Sequence, residues 1–156
     1  TSITAGEAPE MTCTYRLVAI TTIAVLFPSI SLAAHKEAEW NQTVDKTIAY
    51  LKATQYADGS WGQAPRNRGV TGVIVTGMLQ TGKVSADDEP VAKALKFIES
   101  LVNVKAGHIA GPEATVQLQN YVTCINVMAL NAAKRPEKYK AIVGDGVKFL
   151  KKLQWD

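Results

Sequence analysis

Apolar positions recur along this chain with two different rhythms. Three segments carry a narrow stripe: Val44, Ile48 and Leu51; then Val91, Leu95, Ile98 and Leu101; then Val143, Val147, Leu150 and Leu153. Steps of three and four residues, with lysines in between, predict helices that bury one face and wet the other. The segments align on an aromatic–aliphatic pair, Tyr50-Leu51, Phe97-Ile98 and Phe149-Leu150. They start at Asp45, Ala92 and Gly144, spaced by 47 and then 52 residues. A period of about fifty residues accommodates two helices and two loops. Pro90 after Asp87-Asp88-Glu89, and Pro136 before Glu137, suit the first turn of a helix, with acids at its positive end.

Between the stripes lie segments of another kind. Val116 to Ala133 contains no charged residue, and its apolar positions run almost all the way round a helix. Such a helix is buried on most sides. Val70 to Leu79 is a shorter uncharged run, β-branched and glycine-bearing, that alone fits a strand; its place in the repeat predicts a helix. The alternation predicts an all-α fold of two layers, with striped helices outside and charge-free helices inside. Gln117, Asn120, Tyr121, Thr123 and Asn126 are then the candidates to line or fill an inner cavity.

The first striped helix closes on Gln55-Tyr56-Ala57-Asp58-Gly59-Ser60-Trp61-Gly62. Asp58-Gly59 is a turn pair in which Gly59 takes positive φ without steric cost. Gln55 reaches backbone groups left open at a helix end, and Trp61 offers a broad surface with one N–H to satisfy. Gln-x-x-Asp-Gly-x-Trp after a Tyr-Leu helix resembles the Gln-Trp repeat of the squalene/terpenoid cyclase and protein-prenyltransferase superfamily, across residues 36–156. The resemblance implies an α/α toroid, here an incomplete ring, in which Gln55, Asp58, Gly59 and Trp61 have a structural role. It also implies that Tyr121-Val122-Thr123-Cys124 belongs to an inner helix. The second repeat departs from the pattern, with Val104-Lys105-Ala106-Gly107-His108 where the motif belongs, and the third stops at Gln154-Trp155-Asp156. An ordinary helical bundle with an Asp-Gly turn is the plainer alternative.

Composition narrows the setting. Of 156 residues, 47% are hydrophobic and the net charge is +3, a globular balance too mildly basic to indicate nucleic acid as a partner. Two cysteines cannot build a disulfide framework. Met11 begins a stretch that reads as an export signal: Arg16, the uncharged run Leu17 to Ile30, and small residues at Ser31 and Ala33. The expectation is upstream sequence and signal over 1–33, cleavage near Ala33 or Ala34, and an exported repeat domain over 34–156. An uncleaved signal is the alternative and the sole membrane contact foreseen. The run is short for a span, which needs about 20 apolar residues. Asn41-Gln42-Thr43 fits a glycosylation acceptor.

Reactive groups are sparse. The resemblance implies an Asp-x-Asp-Asp acid for a protonating cyclase and Asp-Asp-x-x-Asp for an ionising one. Ser85-Ala86-Asp87-Asp88 and Asp87-Asp88-Glu89-Pro90-Val91 meet neither pattern, and helix capping accounts for these acids. Zinc needs three protein ligands, and Cys124, His35 and His108 do not make a recognisable set; Cys124 is expected as a small buried residue. No metal and no cofactor is foreseen. Arg66-Asn67-Arg68-Gly69 precedes an inner helix, where solvated loop charge or an anion site fits. Two functions stand: a non-catalytic binding or scaffold module that takes an apolar or isoprenoid ligand, or a protein partner, at the cavity or rim; or the N-terminal part of a longer squalene-type cyclase or prenyltransferase.

Overall fold

A computed structural model describes residues 36–64, 66–112 and 118–154; residues 1–35, on which the expected export signal falls, and Gln117 lie outside the described residues. Lys46–Asp156 form one compact unit. Among the described residues there are five helices and one small hairpin. Helix α1 covers 36–54. It is followed by α2 Asn67–Gln80, α3 Glu89–Ser100, β1 Val102–Asn103, β2 His108–Ile109, α4 Gln119–Ala132 and α5 Pro136–Lys151. The fold is predominantly helical, and the β-branched run at 70–79 lies within helix α2. No helix among the described residues is long and apolar enough to cross a membrane.

The two helices that carry the charge-free runs, α2 and α4, are neighbours. Gly69 of α2 lies against Tyr121 and Val122 of α4, and Gly72 lies against Ile125 and Asn126, so the helices run parallel in register. A Cβ on Gly72 would come within 2.7 Å of the Ile125 side chain, so glycine lets the two helices approach this closely. Helix α5 runs back along α4, with Gly146 against Thr123 and Val127.

The striped segments also lie in helices, α1, α3 and α5. In α3 the stripe is sealed: Val91, Leu95 and Ile98 are at most 1% exposed. Burial of each contributes about 1.5–3 kcal/mol relative to exposure. Pro90 and Glu89 occupy its first turn. Pro136 and Glu137 open α5, and Lys148 and Lys151 close it, which matches the sign of the helix dipole at both ends. The α5 stripe is less covered: Val143, Val147 and Leu150 are half-buried and Leu153 is exposed. Glu99 joins α3 to α5, accepting from Lys138 Nζ at 2.6 Å and Tyr139 OH at 2.7 Å.

The hairpin is a feature that hydrophobic periodicity does not announce. Val102 pairs with Ile109 and Asn103 with His108, antiparallel. Asn103 Oδ1 accepts the Ala106 N–H at 3.1 Å, and Gly107 closes the turn at φ +80.

Candidate functional site

The motif after α1 is a junction of three helices. Gln55 Nε2 donates to the Gly59 carbonyl at 3.0 Å and to the Pro90 carbonyl, at the start of α3, at 2.7 Å. Asp58 Oδ1 accepts from the Ser60 N–H at 2.9 Å and the Ser60 hydroxyl at 2.7 Å, which holds the turn. Gly59 sits at φ +86, and a Cβ there would stand 2.5 Å from the Lys93 carbonyl oxygen. Trp61 is 3% exposed. Its indole N–H donates to the Leu51 carbonyl of α1 at 2.8 Å, and its backbone N–H donates to Thr71 Oγ1 of α2 at 3.1 Å. Every polar atom of this motif named here is engaged with backbone or hydroxyl groups, the condition for burying it.

The second hairpin repeats this geometry with other letters. Gly107 faces the Asp145 carbonyl of α5, as Gly59 faces that of Lys93 in α3. The Ile109 N–H donates to Thr123 Oγ1 at 3.1 Å, as Trp61 does to Thr71. Both correspondences between helices, Thr71 with Thr123 and Lys93 with Asp145, span 52 residues. Sequence reasoning found no second motif here, because the glutamine, aspartate and tryptophan are absent. The surviving signals are the turn glycine and a threonine on the following helix.

The candidate cavity residues separate. Thr123 and Asn126 are fully buried and turn away from the open face of α4. Thr123 accepts the Ile109 N–H, and Asn126 Nδ2 donates to the Ile109 carbonyl at 2.8 Å. Both are committed to the strand backbone. Asn120 is exposed, and its Oδ1 accepts the Tyr121 N–H at 2.8 Å. Tyr121 is 58% exposed. Cys124 is also exposed, contrary to the expectation of a small buried residue.

Tyr121 borders a groove that follows the seam of α2 and α4. One part, about 280 Å³, is walled by Val70, Val73, Leu118 and Val122, with Arg66 and Arg68 at its end. A second part, about 240 Å³, is lined by Val73, Thr76, Gly77, Gln80, Ile125 and Met128, and Val73 borders both. Arg68 is not a solvated loop charge: it belongs to α2, and its Nη1 donates to the Ala110 carbonyl at 3.1 Å. A wider hollow of about 1070 Å³ lies where α2 and α4 end beside α5, with Met128, Lys134, Arg135, Tyr139 and Lys140 among its walls.

The acids have other tasks. Asp88 occupies the N-cap position of α3, but its carboxylate turns back to accept the Ser85 N–H at 2.6 Å and hydroxyl at 3.0 Å. The Ser85 backbone bond, and then the hydroxyl, hold its pKa below the ordinary value. Asp87 pairs with Arg135. Burial pushes Glu99 upward, but the hydrogen bonds from Lys138 and Tyr139 outweigh it and leave the carboxyl below its ordinary range. His108 is 4% exposed, meets the Phe149 ring edge-on at 5.5 Å, and has no partner for Nδ1. Burial lowers its pKa. Among the described residues no three His, Cys, Asp or Glu side chains converge to hold a metal ion.

Comparison of the chain with protein-family models, curated proteins and solved structures returns no match.

Proposed function

We propose that this chain is an arc of an α/α toroid of the Gln-Trp repeat kind, exported after cleavage near Ala33 or Ala34, and that it serves as a non-catalytic module binding an apolar chain along the α2–α4 groove. The observation that carries this reading is the groove's lining. Val70, Val73, Tyr121 and Met128 present apolar surface to solvent on two adjoining helices, at 39–58% exposure. An exposed, concave apolar strip of this kind marks a binding surface. The toroid reading draws on two outer–inner hairpins repeated in register with parallel inner helices. Isoprenoid alcohols and hydrocarbons fit the groove's chemistry.

The experiment is titration of the chain with farnesol, followed by displacement of a bound environment-sensitive apolar dye. Saturable displacement that Val73→Asp abolishes supports the reading. No displacement by farnesol at its solubility limit, or equal displacement in Val73→Asp, refutes it. A second reading, an arc of a squalene-type cyclase or prenyltransferase, draws on the same apolar lining. Its catalytic acids would lie beyond residue 156, since Asp87 and Asp88 are engaged with Arg135 and Ser85.

A further inference from the structure

The α2–α4 groove is apolar along its walls and charged where it begins. From Val70 to Gln80 on α2, and from Tyr121 to Met128 on α4, no residue carries a charge. Arg66 and Arg68 border the first part, and no acid is among the described residues that line it. The first turn of α2 holds no acid either. Arg135 pairs with Asp87, whereas neither Arg66 nor Arg68 forms an ion pair among the described residues.

Arg68 is half-buried and held in place. Its Nη1 donates to the Ala110 carbonyl at 3.1 Å, and its guanidinium rests against Gly111. Gly111 sits at φ +87, and a Cβ there would stand 3.2 Å from Cζ and Nη1. A guanidinium carries five N–H donors, so one bond to Ala110 leaves several for a ligand. A cation already fixed by backbone loses little further freedom when it binds, and a half-buried charge without a counter-ion gains from meeting one.

We propose, resting on the apolar-chain reading of the same groove, that its ligand is a single-chain fatty carboxylate. The head lies on Arg68 and Arg66, and the tail runs past Val73 toward Met128. The guanidinium fork matches a planar two-oxygen acceptor. Lysine, serine and threonine, which would serve the further oxygens of a phosphate, are absent from the described lining of this end. From Arg68 to Gln80 the helix advances about 18 Å, room for an acyl chain of medium length.

The test displaces the apolar dye from the full chain with four ligands of one tail, each kept below its micelle concentration: dodecanoate, dodecanol, dodecyl phosphate and dodecyltrimethylammonium. Dodecanoate should bind about tenfold tighter than dodecanol, the ratio that one charge-assisted hydrogen bond supplies. The cation should bind no better than the alcohol. Arg68→Gln should erase the acid's advantage and leave dodecanol binding unchanged. Lys140→Gln, in the wider hollow beyond the other end, should change neither. If Arg68→Gln loses helix by circular dichroism, the exposed Arg66 decides, and Arg66→Gln should reduce the advantage roughly twofold. Displacement by dodecanol with no advantage for dodecanoate overturns the carboxylate assignment and leaves the apolar-chain reading standing. No displacement by any of the four overturns both. Tighter binding of dodecyl phosphate or of the cation than of dodecanoate also overturns the assignment. So does an advantage that survives the deciding arginine variant, or one that falls with Lys140→Gln.

Discussion

The Gln55 side-chain amide donates to the Pro90 carbonyl 2.7 Å away and so joins the end of α1 to the start of α3 across 35 residues. The same nitrogen also serves the Gly59 carbonyl. Gln55→Ala should destabilise the fold by about 1.5 kcal/mol, since two carbonyls lose their donor. That corresponds to a melting shift of roughly 5 °C or more. Gln55→Glu should do no better, because an ionised carboxylate cannot donate. Thermal melts followed at 222 nm check both. A glutamate variant as stable as the parent would show that the amide is not acting as a donor.

The two turn glycines should differ in what they tolerate. A methyl at Gly59 meets the Lys93 carbonyl at 2.5 Å, whereas at Gly107 the nearest atom, the Asp145 carbonyl oxygen, lies at 3.4 Å. Left-handed backbone costs a non-glycine residue about 1–2 kcal/mol at either place. The clash adds to this at Gly59 alone, for a total of about 3 kcal/mol or more. Urea midpoints should therefore fall further for Gly59→Ala than for Gly107→Ala. The reverse order would mean that α3 yields to the turn.

Ile109 has both backbone groups served by one helix. Its N–H reaches Thr123 Oγ1 and its carbonyl receives Asn126 Nδ2. Thr123→Val should cost about 2 kcal/mol by orphaning a buried N–H. Thr123→Ser should recover most of that loss. Thr123→Val combined with Asn126→Ala should deviate from additivity, as neighbours sharing a partner do. A double-mutant cycle in urea measures the coupling, and strict additivity would contradict a shared role.

The buried His108 predicts the direction of one pH effect. Burial lowers its pKa below the ordinary 6.5, so between the folded and unfolded values the unfolded chain holds more protons. Stability then rises with pH through that window. It is complete above about pH 6.5 and falls as the pH drops toward the folded value. Urea midpoints should be lower at pH 5.5 than at 7.5, and His108→Phe should flatten the difference. Glu99 acts in a separate window: its lowered pKa contributes stability that is lost only as the pH falls below its ordinary 4.5.

The helices and their two kinds were legible in the chain because burial writes its period directly. The lysine-flanked stripe of Val91, Leu95 and Ile98 became a sealed face. Val70 to Leu79 could be read as a helix because of its place in the repeat, against its own β-branched composition. What could not be read was which neighbour each face would meet. Thr123 and Asn126 stand three apart on one side of α4, and periodicity stops there. That this side meets Ile109 depends on a hairpin whose strands are two residues each, too short to alternate. The second junction was hidden for a related reason. Its geometry is carried by Gly107 and Thr123, single small residues that no pattern of letters distinguishes from their neighbours.

Because Gly59 and Gly107 each rest on a helix main chain, the molecule measures distance with atoms that every residue possesses. The nearest atom at each seat is the carbonyl oxygen of Lys93 or Asp145 rather than a side chain, so a one-residue insertion between Thr71 and Lys93, or between Thr123 and Asp145, would move a different carbonyl under the turn. Drift in this chain should thus spare its spacing longer than its letters, and distant kin are better sought by counting intervals than by matching residues.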